Sequence, residues 1–361
     1  MTNAAAAPHE DRGRPRRVLA LESSCDETAC AVVEGLEVRS SVVASQIAVH
    51  AEFGGIVPEL ASRHHLSAVI PVIERALDEA GLRGFDALDA LAVTDGPGLV
   101  GALLVGVQVA RGLAAATGLP LFGVHHMEGH IFSAFLGDAE RPATPFVPHL
   151  ALLVSGGHSE LVDVGGLGDY RILGATRDDA VGEAYDKVSK LLGLGYPGGP
   201  VIDRLAAEGD PEAIAFPRAM LQRRDNLEFS FSGLKTAVLV HIEENGQPRS
   251  RAELADLCAS FQAAVVEVLV TKARRARTKV GRDRIHVVGG VSANRALRAA
   301  MAAAGEAEGF AVVSPPLRYC GDNAAMIAAA AAARLAADAS PEVDVRASVA
   351  LDDPTMRLVP R

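Results

Sequence analysis

Tryptophan is missing from this 361-residue chain, and only four tyrosines and eleven phenylalanines make up its aromatic content. Aromatic platforms on which nucleic-acid bases stack therefore cannot dominate its function. The four cysteines, Cys25, Cys30, Cys258 and Cys320, are scattered and include no C-x-x-C pair. That spacing supports neither a zinc knuckle nor a disulfide framework, and predicts reduced thiols in a cytosolic protein. Walker A is absent, which excludes a P-loop NTPase. The amino terminus has no apolar segment behind a basic start, so it does not read as a secretory signal. No uninterrupted run of about 18 apolar residues is present. The alanine-rich stretch 324–337 is broken by Arg334. The expectation is a soluble, cytoplasmic protein with no membrane contact. A surplus of positive charge is also lacking: the net charge is −10. That argues against a broad nucleic-acid surface and leaves room only for local basic groups. Two exist, Lys272 to Arg284 and Arg218 with Arg223 and Arg224; taken alone they read as a solvated helix face and a polar loop.

What is present begins with His126 and His130, four residues apart in Gly-Val-His-His-Met-Glu-Gly-His (123–130). On a helix, positions i and i+4 face the same way and can hold one metal ion. The peptidase signature His-Glu-x-x-His puts its general base directly after the first histidine. Here Glu128 comes two residues after His126, about 200° around the helix, so the motif offers a metal without that base.

The chain has length for two domains. Residues 18–34 read as strand, polar turn and strand, and 150–164 repeat the plan around Gly156-Gly157. Helical periodicity covers 59–80, a buried strand 90–94, a helix from the Asp-Gly-Pro-Gly loop to about Ala116, and a short strand 121–124. Three prolines in 138–148 mark a linker. In the second half, helices are expected at 178–193, from Val201, at 252–279 and from an N-cap at Ser292 to Ala303; Asp322 opens the last. Strands alternating with helices predict α/β layers, with a mixed sheet in each half and glycine loops meeting across a cleft. The expected division is a mobile tail 1–17, a first domain 18–143 completed by helix 324–341, and a second domain 144–322.

The two phosphate-type hairpins, with Gly289-Gly290 at a strand end before a helix, resemble the actin/Hsp70/sugar-kinase architecture of two ribonuclease-H-like domains around an interdomain cleft. Eight segments are similar to one family throughout. They are Glu-Ser-Ser-Cys-Asp-Glu-Thr (22–28), Val-Pro-Glu-Leu-Ala-Ser-Arg (57–63), the glycine-rich run 96–106, His-His-Met-Glu-Gly-His (125–130), Leu-Val-Ser-Gly-Gly-His (153–158), Tyr-Pro-Gly-Gly-Pro (196–200), Phe-Ser-Gly-Leu-Lys-Thr (231–236) and Gly-Gly-Val-Ser-Ala-Asn (289–294). From about Val18 to about Ala350 the chain resembles the TsaD family, once labelled O-sialoglycoprotein endopeptidase.

That resemblance implies transfer of threonylcarbamoyl from threonylcarbamoyl-adenylate to the exocyclic amine of adenosine 37 in tRNA, with release of AMP. It implies metal ligation by His126, His130 and Asp322. That donor set suits Fe(II), which the family favours, and also Zn(II). It implies an adenylate site made of Leu153, Val154, Ser155, Gly156, Gly157, Asp186, Gly199, Asp203 and Asn294, the aspartates on ribose and Asn294 facing adenine. Ordinary structural roles stand beside these: Asp322 as a helix cap, Asp186 paired with Lys187 or Lys190, Asp203 with Arg204, and Asn294 as a first-turn helix residue. The catalytic base stays open among Asp26, Glu27 and His158. Implied partners are tRNA, a TsaB-like paralogue of the same fold that pairs with the first domain, and a small TsaE-like ATPase. Two other readings, a metalloprotease and a non-catalytic nucleotide-binding regulator, are weighed against the transferase.

Overall fold

The computed structural model describes residues 15–340 and 342–356. Most of the expected tail, residues 1–14, lies outside the described residues; Arg17 already opens the first strand. In chain order the elements are β1 (Arg17–Glu22), β2 (Glu27–Glu34), β3 (Glu37–Ser45), α1 (Ile47–Ala51), α2 (Pro58–Glu79), β4 (Ala90–Gly96), α3 (Val100–Thr117), β5 (Leu121–His125) and α4 (His126–Ser133). The second half continues with β6 (His149–Val154), β7 (Ser159–Gly166), β8 (Asp169–Ala175), α5 (Val181–Leu191), α6 (Gly198–Ala206), α7 (Ser232–Asn245), α8 (Arg251–Val280), β9 (Arg284–Val288), α9 (Arg295–Glu308), β10 (Ala311–Val313) and α10 (Ala324–Ala336).

Two five-stranded sheets result, in the orders β3-β2-β1-β4-β5 and β10-β9-β6-β7-β8. Read from opposite ends, these are one topology used twice. In each, the opening hairpin and the third strand pair antiparallel, and two later strands add in parallel. The third strands, β3 and β8, were not expected from the sequence. Their edge positions leave most of each strand at least partly exposed, which blurs the apolar pattern.

Each sheet has its own core. The first is closed on one face by α10, whose residues Ala324 to Ala332 are all buried. A helix apolar on every side must be enclosed, and its small alanines let it sit close against β1, β2 and β4. It ends at Ala336 rather than near residue 341. Its opposite flank packs on α4, so α10 and α4 run together beneath the cleft.

The chain beyond α10 returns as an extended strap. Gly123 N–H donates to Glu342, Arg346 N–H to Asp95, and Gly98 N–H to Ala347. The Arg346 guanidinium lies 3.0 Å from the buried Asp95 carboxylate, and Ile172 N–H of the second sheet donates to Asp352 at 3.1 Å. The strap thus fastens the end of β4 and reaches across to β8.

Among the described residues, two helices, α3 and α8, are long and apolar enough by length and mean hydropathy to cross a membrane, although neither is an uninterrupted apolar run. In α8 67% of that window is buried inside the protein, as in a core helix. The α3 helix buries one stripe, including Leu103, Val107 and Ala110, against the first sheet.

Candidate active site and metal centre

Strand β5 ends at His125, whose imidazole accepts the Met127 N–H at 3.1 Å and so caps α4. All eight residues of α4 are buried, and its first and fifth are His126 and His130. Their rings stand edge to face with centroids 4.7 Å apart. Asp322 Oδ1 lies 3.3 Å from His126 Nε2 and 3.2 Å from His130 Nε2. One donor atom from each residue lies within 4.8 Å of the other two. Residues nearly 200 apart in sequence therefore converge as the i, i+4 spacing requires.

The donor set fits a divalent ion. Both nitrogens of fully buried His130 lack hydrogen-bond partners, although Nε2 is so close to Asp322. Donors aimed at one common point, rather than bonded to one another, leave room for a cation at that point. Burial works against protonating His126, but Asp322 and then Glu22 hold its pKa well above the imidazole norm. Burial opposes ionisation of Asp322 too, yet His126 and His130 keep it well below the usual carboxylate range. The pocket is a concentrated negative field, suited to a proton or to a metal.

Asp322 is free for this because it does not cap α10. The cap is Asn323, whose Oδ1 accepts Met326 N–H at 3.0 Å. Likewise Ser292 does not cap the helix near 295; it falls in a short 3-10 turn, and Asn294 caps α9 through Leu297 N–H at 2.9 Å. Neighbouring residues of equal capping ability are separated only by where the turn places them.

Sequence reasoning missed Glu22. It ends β1 fully buried, with Oε2 2.9 Å from His126 Nδ1. Thr94 Oγ donates to the same oxygen at 2.5 Å, and Ser24 N–H to Oε1 at 2.5 Å. A carboxylate behind a metal-binding imidazole fixes its tautomer, so that Nε2 faces the metal. The signal was an apolar strand ending in a carboxylate at position 22.

Glu128 faces the other way, as its helical phase predicts. Tyr170 O–H donates to its Oε1 at 2.8 Å and Arg334 Nε to its Oε2 at 3.0 Å. A carboxylate committed to two donors away from the imidazoles is no peptidase base.

Two adjoining cavities occupy the cleft. One, about 730 Å³, is lined by Ser24, Asp26, Gly54, His126, Ser155 to His158, Asp186, Tyr196 and Asp322. The other, about 520 Å³, is lined by Tyr185, Asp186, Tyr196, Gly199, Asp203, Gly290 and Asn294. They share Gly156, Asp186 and Tyr196. A β-carbon at Gly156, Gly157, Gly199 or Gly290 would meet nothing within 4 Å, so the turns face open space. At Gly182 it would press on Ser155 O at 2.8 Å; only glycine lets the start of α5 sit directly behind the Ser155-Gly156-Gly157 hairpin. A helix start behind such a turn favours an anion there.

The expected adenylate residues fall around these cavities with distinct local partners. Leu153 and Val154 bury their side chains in separate cores and offer only backbone. Asp186 Oδ1 accepts Gly198 N–H at 2.7 Å rather than pairing with a lysine. Asp203 is held by Arg295, Nε to Oδ2 at 2.7 Å, not by Arg204. Asn294 donates from Nδ2 to Gln262 at 2.7 Å while its oxygen caps α9.

Among the candidate bases, Asp26 and His158 line the larger cavity. Burial pushes the His158 pKa down to about 4, leaving a neutral imidazole, and raises that of Asp26. Glu27 accepts from Ser45 at 2.8 Å, and burial raises its pKa to about 7.

The basic groups are largely spent internally. Lys272 is fully buried and donates to the Asn226 and Glu228 carbonyls. Arg274 and Arg277 pair with Glu308, and Arg282 with Asp163.

Residues 37–329 match the model of the tRNA N6-adenosine threonylcarbamoyltransferase family, TsaD. The chain is 60% identical over 316 residues to the enzyme of that name from Anaeromyxobacter dehalogenans strain 2CP-1, covering 87% of this chain and 92% of the relative. The corresponding Sorangium cellulosum enzyme is 55% identical over 338 residues, covering 91% and 94%. Among solved structures, full-length HypF in its phosphate- and nucleotide-bound form superposes with a TM-score of 0.58 at 14% identity, covering 89% of this chain and 47% of that one. Component A of the (R)-2-hydroxyglutaryl-CoA dehydratase of Acidaminococcus fermentans gives 0.50 at 15% identity, covering 90% and 100%. These two speak for the fold, which is the actin/Hsp70/sugar-kinase architecture. With its family motifs in register along both halves, the chain belongs to the TsaD family of tRNA N6-adenosine threonylcarbamoyltransferases and forms threonylcarbamoyladenosine in tRNA.

Proposed function

We propose that the cleft binds threonylcarbamoyl-adenylate, with its nucleoside in the 520 Å³ cavity and its acyl group in the 730 Å³ cavity beside the metal ligands. The supporting observation is that Gly156, Asp186 and Tyr196 border both spaces, so one elongated ligand can occupy them together. In this reading residues 18–143 with α10 form the first domain and 144–322 the second. Backbone N–H groups of Gly156 and Gly157 hold the phosphate, Ser155 N–H being bound to His158 O at 2.8 Å; the free oxygens of Asp186 and Asp203 take ribose hydroxyls, Gly199 gives clearance, and Asn294 walls the adenine end.

The exocyclic amine of adenosine 37, in tRNAs reading codons that begin with adenosine, attacks the carbamoyl carbon. The carbon–oxygen bond to phosphate breaks, AMP leaves with the electron pair, and the amine gives up one proton. Because the leaving group is already good, orientation and charge stabilisation carry the rate. Asp26 and His158 stand within the cavity to take the proton, and Glu27 lies beside it. The metal of this reading is Fe(II), with Zn(II) as the other ion the donors accept. When bound, it supplies Lewis-acid polarisation of carbamoyl or phosphate oxygens.

The tRNA meets an acidic cleft whose mouth holds Lys187 and Lys190. Lys187 is neutralised by Asp179 and Glu183, whereas Lys190 has no carboxylate partner among the described residues. A TsaB-like paralogue would cover the first domain, where Leu66 and Ile70 of α2 and Val100 and Leu104 of α3 are exposed. A TsaE-like ATPase and a separate adenylate-forming enzyme complete the set. Action in the cytoplasm agrees with four unpaired cysteines.

The test is transfer by purified protein, with partners, from synthetic adenylate to unmodified tRNA, read by mass spectrometry of nucleosides. Wild type yields threonylcarbamoyladenosine and His126→Ala loses both bound metal and product. Full activity in the metal-free variant would overturn the metal assignment.

A further inference from the structure

Tyr196 borders both cavities of the cleft. Resting on the adenylate reading above, we infer that its phenol donates a hydrogen bond to the phosphate at the scissile end and stabilises departing AMP. Tyr196 is thereby assigned as a catalytic residue.

Position is the first argument. A ligand with its nucleoside in one space and its acyl group in the other must carry its phosphoryl group past the shared border. That border is made of Gly156, Asp186 and Tyr196. Of the three, only Tyr196 brings a side-chain donor; Asp186 is an acceptor already bound to Gly198 N–H.

Rigidity is the second. The backbone is fastened to α5 on both sides of Tyr196. Ser189 Oγ donates to Gly195 O at 2.7 Å, and Asp186 accepts from Gly198 N–H at 2.7 Å. A β-carbon at Gly198 would press on Tyr185 O at 2.6 Å, so the loop and the start of α6 are clamped onto α5. A donor held in advance reorganises little as charge develops, which is the condition for electrostatic catalysis.

Availability is the third. Among the described residues the phenol has no hydrogen-bond partner. Burial, with Asp26 and Asp186 nearby, holds its ionisation well above the ordinary range, so it remains a donor at any working pH. In a cavity lined by Asp26, Glu183, Asp186 and Asp322, a neutral donor can approach phosphate without being cancelled by a carboxylate.

The charge balance is simple. As the carbamoyl carbon–oxygen bond breaks, its electron pair passes to the phosphate oxygen, and the phenol O–H shortens its contact to that oxygen without transferring its proton. The amine proton leaves by the separate base.

The experiment compares wild type with Tyr196→Phe in the full complex. It measures single-turnover transfer from saturating adenylate, AMP affinity by calorimetry, metal content and Tm. The expected result is a fall in transfer rate of about 10²-fold, the effect of losing one such donor. AMP affinity stays within about threefold, and metal content and Tm are unchanged. Transfer within about threefold of wild type overturns the assignment, as does a rate loss matched by an equal loss of AMP affinity. If Tyr196→Phe loses metal or Tm, Tyr196→Trp keeps the bulk and a donor, and failure of that donor to restore the rate also overturns it. Failure of the adenylate reading is distinct: wild type itself would then transfer nothing and bind no AMP.

Discussion

His126 Nδ1 and Glu22 Oε2 lie 2.9 Å apart at the base of the cleft, both buried, joining the end of the first strand to the start of the metal helix. The contact orients the imidazole before any metal arrives. Glu22→Gln keeps the shape but removes the charge, and outer partners of this kind tune metal affinity by about 10–100-fold. Metal titration of the apoprotein should show that loss with Tm nearly unchanged. Unaltered affinity would mean that the contact is purely architectural.

Asn323 and Asp322 divide two tasks that one residue could have shared. Asn323→Ala removes a helix cap and should cost about 1 kcal/mol in denaturant unfolding. It should also weaken metal binding, because the cap fixes the backbone next to Asp322. Asp322→Asn should spare stability and abolish metal retention. The reverse pattern, with Asp322→Asn losing stability and keeping metal, would exchange the two roles.

Glu128 and Arg334 form a buried pair 2.8 Å apart, shared with Tyr170 of the second sheet. Removing one partner of a buried pair leaves an uncompensated charge and costs about 3–5 kcal/mol. Arg334→Met should therefore lower stability by that order, and adding Glu128→Gln should recover part of the loss. A double variant as unstable as the sum of the singles would show that the two groups do not interact.

His149 and His286 stack at 4.0 Å inside an aromatic cluster with Phe135 and Phe146, between α4 and the second sheet. Burial holds their pKa values down to about 4 and about 2, with Arg282, Arg284 and Arg141 adding to the effect and Asp163 opposing it at His149. The unfolded chain protonates these rings near pH 6.5 and the folded one does not. Their contribution is therefore complete above pH 6.5 and lost as pH falls toward 4. Glu27 and Glu160, raised to about 7, act in the opposite sense over an overlapping range, so only a difference isolates the rings. Relative to wild type, His286→Phe should gain about 2–3 kcal/mol between pH 7.5 and 4.5. A pH-independent difference would rule out the buried neutral state.

Lys190 at the cleft mouth is free of carboxylates among the described residues, while Lys187 is not. Lys190→Ala should raise KM for tRNA with little change in kcat, and reduce the salt dependence of binding by about one charge. An unchanged salt slope would remove it from the tRNA path.

Much of this molecule was legible beforehand because the evidence for it is local. Alternating apolar runs marked the two hairpins, glycine pairs marked the turns facing open space, and the i, i+4 spacing placed His126 and His130 on one face of α4. Those features depend on backbone geometry within a few residues, which composition and spacing express directly. Tertiary structure alone decided which of two adjacent cappers took the helix end, Asp322 or Asn323. It alone brought Glu22 to His126 across about a hundred residues of sequence, turned Arg295 rather than Arg204 onto Asp203, and set Tyr196 where two cavities meet. The first and third are choices between chemically similar partners, the others meetings of residues far apart in sequence, and only the distances created by packing can decide either kind.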